Sequence, residues 1–210
     1  VERIDDPALA DLFDEKRREI DIELTMLRER DSVNFRYGSY RLFGTVDDRL
    51  LRTAQEILEV VAPPRAWRGE LVEAAAFQQM ALRELNAYRE EFPEIRNTVE
   101  LRRDITGLMV SDGNLLIGET LAVRPDRVMP LIHHEVGTHV LTFVNGSAQP
   151  LRQLAFGLAG YDEFQEGLAV LSEYLVGGLD RARLRLLAAR VVAAHAVEND
   201  AGFVDTFRLL

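Results

Sequence analysis

The sequence predicts a protein of the α+β class in which α-helices predominate and a small β element accompanies them. Several long segments repeat apolar residues at the three- and four-residue spacing of a helix. Two short apolar runs flank a turn sequence that is typical of a β-hairpin. The chain has 210 residues and contains no tandem repeat, low-complexity tract or long linker. This length is sufficient for one good core, or for one core with a helical subdomain.

Three helices are predicted before residue 98. Pro7 suits the first turn of the first helix, Asp47 lies at the start of the second, and Pro93 follows the third. Their expected bounds are 7–30, 46–62 and 68–90. We therefore expect residues 1–98 to form an N-terminal helical region packed on a core of residues 99–210, with both parts in one continuous domain.

A β-hairpin is predicted at residues 107–118, because two apolar runs flank the turn sequence Asp112-Gly113-Asn114. An exposed edge strand of this hairpin could pair with an extended peptide by strand addition. The alternative is a purely structural hairpin that covers the core. Asp126 is the expected N-cap of the helix that follows.

The segment from His134 to His139 reads H-E-V-G-T-H, and it carries the strongest chemical signal in the chain. Two imidazoles with a carboxylate beside the first are the groups that hold a zinc ion and activate its water. The two histidines are five residues apart, about 140° around a regular helix, so a regular helix cannot direct both at one ion. A π-type bulge inside the motif, or a local unwinding, would bring them together. The backbone freedom of Gly137 suits such a distortion, and the Thr138 hydroxyl could bond a freed carbonyl.

A zinc site with two histidines needs a third protein ligand. The best candidates lie on a helix predicted at residues 161–175, where Glu166 and Glu173 share a face. Glu163 lies one turn before Glu166. Helical spacing alone does not choose among the three glutamates, and a solvated surface side chain is the alternative for each. The helix also carries an apolar stripe, formed by Phe164, Leu168, Leu171 and Leu175.

Residues 165–169 spell Q-E-G-L-A, and together with the H-E-x-x-x-H segment they resemble a known family. This is the QEGLA-motif metallopeptidase family, whose bacterial members are labelled flavohemoglobin expression-modulating proteins. Its animal members include the microtubule-associated tyrosine carboxypeptidases, which remove the C-terminal tyrosine of α-tubulin. The close resemblance covers roughly residues 104–208, and a weaker similarity covers the N-terminal helices. Neither motif alone is as specific as the pair at this spacing.

The resemblance implies roles for four residues. His134, His139 and Glu166 match the zinc ligands of the family. Glu135 matches the general base. The implied protein has a zinc-peptidase-like catalytic core with a distorted H-E-x-x-x-H helix. It hydrolyses peptides with zinc-activated water, as a carboxypeptidase would, at the C-terminus of a peptide or protein.

Other side chains could support these ligands or contact the substrate: His133, Arg152, Tyr161, Glu173 and Tyr174. The tyrosines and His195 are the available types for stabilising an oxyanion. Arg152 is the candidate for binding a substrate carboxylate. Each has an ordinary structural alternative, such as a core histidine, a solvated arginine or a tyrosine at a core edge.

The composition argues against several partners. A net charge of −10 argues against general nucleic-acid binding, which needs a basic face. The arginines at residues 181–190 lie on a helix predicted at 179–197 and are expected to form a solvated face. No apolar run approaches the roughly 18 residues of a membrane helix, and no signal peptide is visible. The lack of cysteine excludes disulfides and thiolate ligands and is compatible with a cytoplasmic protein.

Three functions follow from these patterns. The first is a zinc metallopeptidase, and the alternative is a non-hydrolytic zinc-binding regulatory protein. The third is a helical interaction domain without a metal. Residues 203–210 are apolar and helix-like without a cap, so we expect the chain to be a fragment whose substrate pocket is completed elsewhere. The natural substrate and the oligomeric state are not indicated by the sequence.

Overall fold

The computed structural model describes residues 3–209 and groups the chain into two compact units. Unit 1 consists of Val1–Pro64, Leu158–Gly160 and Asp180–Leu210, and unit 2 consists of Arg65–Gly157 and Tyr161–Leu179. Helices predominate and the sheets are small, which confirms the predicted α+β composition. The predicted division of the chain into a helical region of residues 1–98 and a core of residues 99–210 stays a prediction. Between residues 3 and 209, no helix combines the length and apolarity needed to cross a membrane.

The helices and strands follow one another along the chain in a simple order. They are α1 (Pro7–Glu29), α2 (Asn34–Phe43), α3 (Asp48–Val60), β1 (Val72–Glu73), α4 (Ala74–Glu91), β2 (Val99–Arg102), β3 (Leu108–Ser111), β4 (Asn114–Gly118), β5 (Ala122–Val123), α5 (Pro125–His134), a π-helical segment (Glu135–Val140), α6 (Leu141–Ser147), α7 (Gln153–Phe156), α8 (Tyr161–Leu175), α9 (Arg181–Glu198) and α10 (Phe203–Leu209).

Unit 1 contains two pairs of packed helices. In the first pair, α1 packs on α2, and the buried Met26 lies against Gly38, where a Cβ would come within 2.2 Å of the Met26 Cγ. In the second pair, α3 packs on α9 through a small core of Ala54, Ala188 and Val192. Helix α2 was not predicted from the sequence, and none of its residues is fully buried.

Unit 2 has the larger core, and the helix that carries the histidines runs through it. Its buried residues recur every four positions across α5 and the π-helical segment, at Val128, Ile132, Val136 and Val140. They pack with Phe77, Ala81 and Leu85 of α4 and with Leu115 and Ile117 of β4. The histidine segment is therefore held by apolar burial on one face, which leaves its other face to polar side chains.

The main sheet of unit 2 has the order β2-β4-β3, with β2 parallel and β3 antiparallel to β4. The predicted hairpin is confirmed: β3 and β4 pair through Ser111 and Asn114. Asp112 and Gly113 form the turn with φ values of +48° and +73°, as a two-residue hairpin turn of type I′ requires. Strand β3 lies at the edge of this sheet.

Two predicted boundaries are wrong. The helix expected at 68–90 begins only at Ala74, because the preceding residues form β1, in which Val72 pairs with Val123 of β5. The N-cap of α5 is Arg124 rather than Asp126, since Pro125 occupies the first helical position. Asp126 lies in the first turn, where its carboxylate accepts a hydrogen bond of 3.0 Å from Arg124 Nε.

Replacing Gly113 with alanine is expected to destabilise the protein by about 1–3 kcal/mol or more. Alanine is strained at a φ of +73°, and its Cβ would come within 2.3 Å of both the Phe143 ring and the Asn97 side chain. Gly107 provides a matched control, because its φ of +79° is similar but no atom lies within 4 Å of its Cβ position. Urea denaturation should show a larger loss for Gly113→Ala than for Gly107→Ala. Equal losses would contradict the proposed clash.

Candidate metal centre

The helix that carries the H-E-x-x-x-H segment is distorted where the sequence predicts it. Residues Glu135–Val140 form a π-helical segment between α5 and α6. The N–H of Leu141 donates to the carbonyl of Val136, five residues earlier, and also to the carbonyl of Thr138. This wider turn rotates His139 back toward the face of His134, and it confirms the predicted bulge.

The distortion is stabilised by hydroxyl groups. Thr138 Oγ1 donates to the carbonyl of His133 at 3.2 Å, as predicted, and Ser172 Oγ lies 3.1 Å from the same oxygen. Gly137 lies within the distorted segment, as predicted, but it is not among the residues with positive φ. A Cβ there would meet only ordinary contacts, at 3.4 Å from His133 Nδ1 and 3.6 Å from Tyr88 Oη. The bulge therefore does not require glycine.

Three side chains converge at the π-helical segment. The Nε2 atom of His139 lies 3.5 Å from Glu166 Oε1, and the Nε2 atom of His134 lies 3.8 Å from Glu166 Oε2. The ring centroids of the two histidines are 5.0 Å apart. One nitrogen or oxygen from each of His134, His139 and Glu166 lies within 4.8 Å of the others. This set of two imidazoles and one carboxylate is a donor set that zinc prefers.

The structure separates the three glutamates that helical spacing left open. Glu166 faces the two Nε2 atoms and its side chain is 64% exposed. Glu173 is fully buried on the other side of His134, where it accepts a 2.9 Å hydrogen bond from Nδ1. Glu163 is exposed and does not line the cavity described below.

Glu173 is held in turn by Arg127, whose Nη2 lies 2.5 Å from Glu173 Oε2. Arg127 also donates through Nη1 to the carbonyl of Gly178 at 2.5 Å. Because the carboxylate accepts from Nδ1, the Nε2 lone pair of His134 points toward Glu166 and is available to a metal. Arg127 was not predicted from the sequence, although its position seven residues before His134 on one helix could have indicated it.

The apolar stripe of α8 does not form its buried face. Phe164, Leu168, Leu171 and Leu175 are all exposed. The helix is instead buried through Ala169 and Glu173, with Ser172 beside them. The stripe predicted a helix in this segment, and α8 confirms the helix, although the stripe is not its buried side. The contacts of α8 with α5 are instead polar, and they include the hydrogen bond between Glu173 and His134.

The electrostatics of the site favour a bound cation. Burial, together with the nearby carboxylates of Glu166 and Glu173, raises the pKa of Glu135 to about 7. Burial also lowers the pKa of His134, with His139 acting in the same direction, so its imidazole is neutral at neutral pH. The neutral imidazole of His134 lies between the carboxylates of Glu166 and Glu173, and the negative charge of this site would stabilise a divalent cation.

These residues open onto a cavity of about 410 Å³. Its walls include Glu135, the edge strand β3 through Leu108, Met109 and Val110, and Tyr161 of α8. Asp112 and Asp162 also line it. Among the described residues that line the cavity there is no lysine or arginine. A substrate carboxylate would therefore meet no cationic side chain of these walls.

The remaining candidates fall in different places. Tyr161 lines the cavity, whereas Arg152 and Tyr174 are exposed and do not. His133 is half-buried and contributes its carbonyl to the hydroxyl contacts of the bulge. His195 belongs to unit 1, where its Nε2 lies 3.3 Å from Asn199 Nδ2.

Replacing Glu173 with glutamine is expected to weaken binding of a divalent metal such as zinc by about 10- to 100-fold, because the carboxylate orients His134. The same change leaves the Arg127 guanidinium without its buried partner and should destabilise the protein by up to about 3–5 kcal/mol. Zinc titration and urea denaturation of the metal-free protein measure the two effects. Unchanged zinc affinity in a folded Glu173→Gln variant would contradict the orienting role.

Comparison with known proteins identifies one family. A family model described as microtubule-associated tyrosine carboxypeptidase matches residues 1–210. No curated protein and no solved structure matches the chain significantly.

Proposed function

Because the chain belongs to the microtubule-associated tyrosine carboxypeptidase family, we propose that it is a zinc-dependent peptide hydrolase of the carboxypeptidase type. The family match confirms the resemblance predicted from the two motifs. One structural observation carries the proposal: His134, His139 and Glu166 converge beside Glu135 at the wall of one cavity. The substrate in this proposal is a peptide or the C-terminus of a protein, and the proposed location is the cytoplasm, with which the absence of cysteine is compatible.

The metal ligands in this proposal are His134 and His139 through Nε2 and Glu166 through one carboxylate oxygen. Two histidines and one glutamate are a known ligand set of catalytic zinc, and they leave a coordination position open. When bound, zinc would acidify a water molecule and polarise the carbonyl of the peptide bond.

Glu135 acts as the general base in this scheme. Its carboxylate lines the cavity and takes the proton from the attacking water. It then delivers this proton to the nitrogen of the leaving amine, which completes hydrolysis of the peptide bond. Tyr161 is the one tyrosine among the described residues that line the cavity. Its hydroxyl is our candidate for stabilising negative charge on the carbonyl oxygen.

Strand β3 aligns the substrate in this proposal. It is an edge strand of its sheet, and Leu108, Met109 and Val110 line the cavity that contains Glu135. An extended peptide can pair with the free edge of such a strand through main-chain hydrogen bonds. This pairing would hold the peptide across the cavity without requiring a particular side chain.

A peptide library analysed by mass spectrometry at both ends tests the proposed function. The zinc-loaded protein should shorten a subset of peptides from the C-terminus. Internal cleavage alone would support the hydrolase but contradict the carboxypeptidase assignment. This distinction matters because the described cavity walls include no cationic side chain that could bind a C-terminal carboxylate. A protein that holds stoichiometric zinc and cleaves no peptide would contradict the hydrolase and favour a zinc-binding regulatory protein.

A further inference from the structure

Unit 2 contains a second and larger cavity, of about 860 Å³, next to the candidate metal centre. Its walls come from α6 and from the segment that joins α4 to β2. Most of the surface is apolar, contributed by Phe92, Ile95, Leu141, Phe143, Val144 and Ala148. A concave apolar site of this size is typical of ligand-binding cavities and has room for more than one side chain.

The two cavities share a wall. Phe143 lines both of them. The hairpin turn continues this boundary, because Gly113 lines the metal cavity and the next residue, Asn114, lines the second one. Gly113 packs so closely on Phe143 that a Cβ would come within 2.3 Å of its ring. The second cavity therefore begins where β3 ends.

The position of the second cavity favours one class of ligand, an extended peptide. A peptide paired with the edge of β3 and extended past Ser111 passes the hairpin turn, where the second cavity opens. The two cavities also differ in charge. The metal cavity is lined by several carboxylates, including Asp112 and Asp162, whereas the second cavity has one glutamate and one arginine, Glu94 and Arg96. An apolar part of the peptide is therefore better accommodated in the second cavity.

We propose that the second cavity binds apolar side chains of the peptide substrate that lie several residues from the bond being cut. This inference rests on the proposed function and adds a substrate class: peptides with an apolar or aromatic segment away from the cleavage point. Full burial of one such side chain corresponds to roughly a 10- to 100-fold gain in binding.

Filling the cavity tests the proposal. Ala148→Trp introduces a large side chain at an exposed position that lines the second cavity but not the metal cavity. Ala76→Trp is the matched control, at an exposed position of α4 that lines neither. Three peptides are compared: a short one that spans the cleavage point only, a long one with a distant apolar segment, and a long one with serines in that segment.

We expect Ala148→Trp to raise KM for the long apolar peptide by roughly 10-fold or more and to leave the short and serine peptides unchanged. Ala76→Trp should behave like the native protein. The proposal is overturned if the native protein does not prefer the apolar peptide to its serine version. It is also overturned if Ala148→Trp weakens cleavage of the long and short peptides equally.

Binding measurements keep this test separate from the proposed hydrolysis. The affinity of the long apolar peptide is measured on the Glu135→Gln protein, with and without Ala148→Trp. A 10-fold or larger loss of affinity caused by Ala148→Trp supports the cavity even if no peptide is cleaved. Equal peptide affinity of the Glu135→Gln proteins with and without Ala148→Trp overturns the proposal even if cleavage is observed. The proposal is also overturned if an apolar small molecule binds the second cavity without competing with the peptide.

Discussion

Replacing Glu135 with glutamine is expected to lower the rate of peptide hydrolysis by roughly 10²- to 10⁴-fold while zinc remains bound. Glutamine has nearly the same shape as glutamate but cannot accept the proton of the attacking water. The fold should tolerate the change, because burial already raises the pKa of Glu135 to about 7 and a neutral amide removes the cost of a buried charge.

The measurement is the initial rate on a cleaved peptide, at equal zinc content, for the native protein and the variant. Glu163→Gln is the matched control on α8, since Glu163 is exposed and does not line the cavity. Retention of native activity by a zinc-loaded Glu135→Gln protein would rule out the general-base role. A variant that has also lost its zinc would instead show that Glu135 acts on the metal.

Replacing Glu166 with alanine is expected to weaken zinc binding by more than about 100-fold, because removing a ligand costs more than removing a group that orients one. The side chain of Glu166 is 64% exposed. We therefore expect the free energy of unfolding of the metal-free variant to lie within about 0.5 kcal/mol of that of the metal-free native protein. This combination separates Glu166 from Glu173, whose loss is expected to affect both zinc affinity and stability.

Competition with a chromogenic chelator measures the zinc affinity, and Glu163→Ala provides the control from the preceding turn of α8. Comparable weakening by Glu163→Ala and Glu166→Ala would show a general effect of charge rather than coordination. If Glu166→Ala binds zinc as tightly as the native protein, the assignment of the third ligand is incorrect.

The sequence predicted those parts of the site that depend on local geometry. Two histidines five residues apart cannot bind one ion from a regular helix, so their spacing predicted a distortion, which the structure shows to be a π-helical segment. The Asp112-Gly113 turn likewise needs positive φ at both positions, and Asp-Gly is one of the few residue pairs that adopt this conformation readily. Such features are determined by neighbouring residues and require no knowledge of distant contacts.

Contacts between residues far apart in the chain could not be predicted from the sequence. Glu166 and Glu173 share one face of α8, yet one approaches Nε2 of His134 and the other Nδ1. This difference depends on how α8 crosses α5, which the spacing within α8 does not determine. Strand β2 was missed for a related reason, because it is defined by parallel pairing with β4 and has no adjacent hairpin partner. Likewise, the apolar stripe of α8 predicted its helical structure but not which of its side chains contact α5.

The most direct test of the metal centre is anomalous diffraction at the zinc edge from crystals of the protein grown with zinc. Our account predicts one strong peak within coordination distance of His134 Nε2, His139 Nε2 and a carboxylate oxygen of Glu166, with Glu135 beside it. A zinc peak at another group of residues, or no peak between these three side chains at full zinc loading, would contradict it.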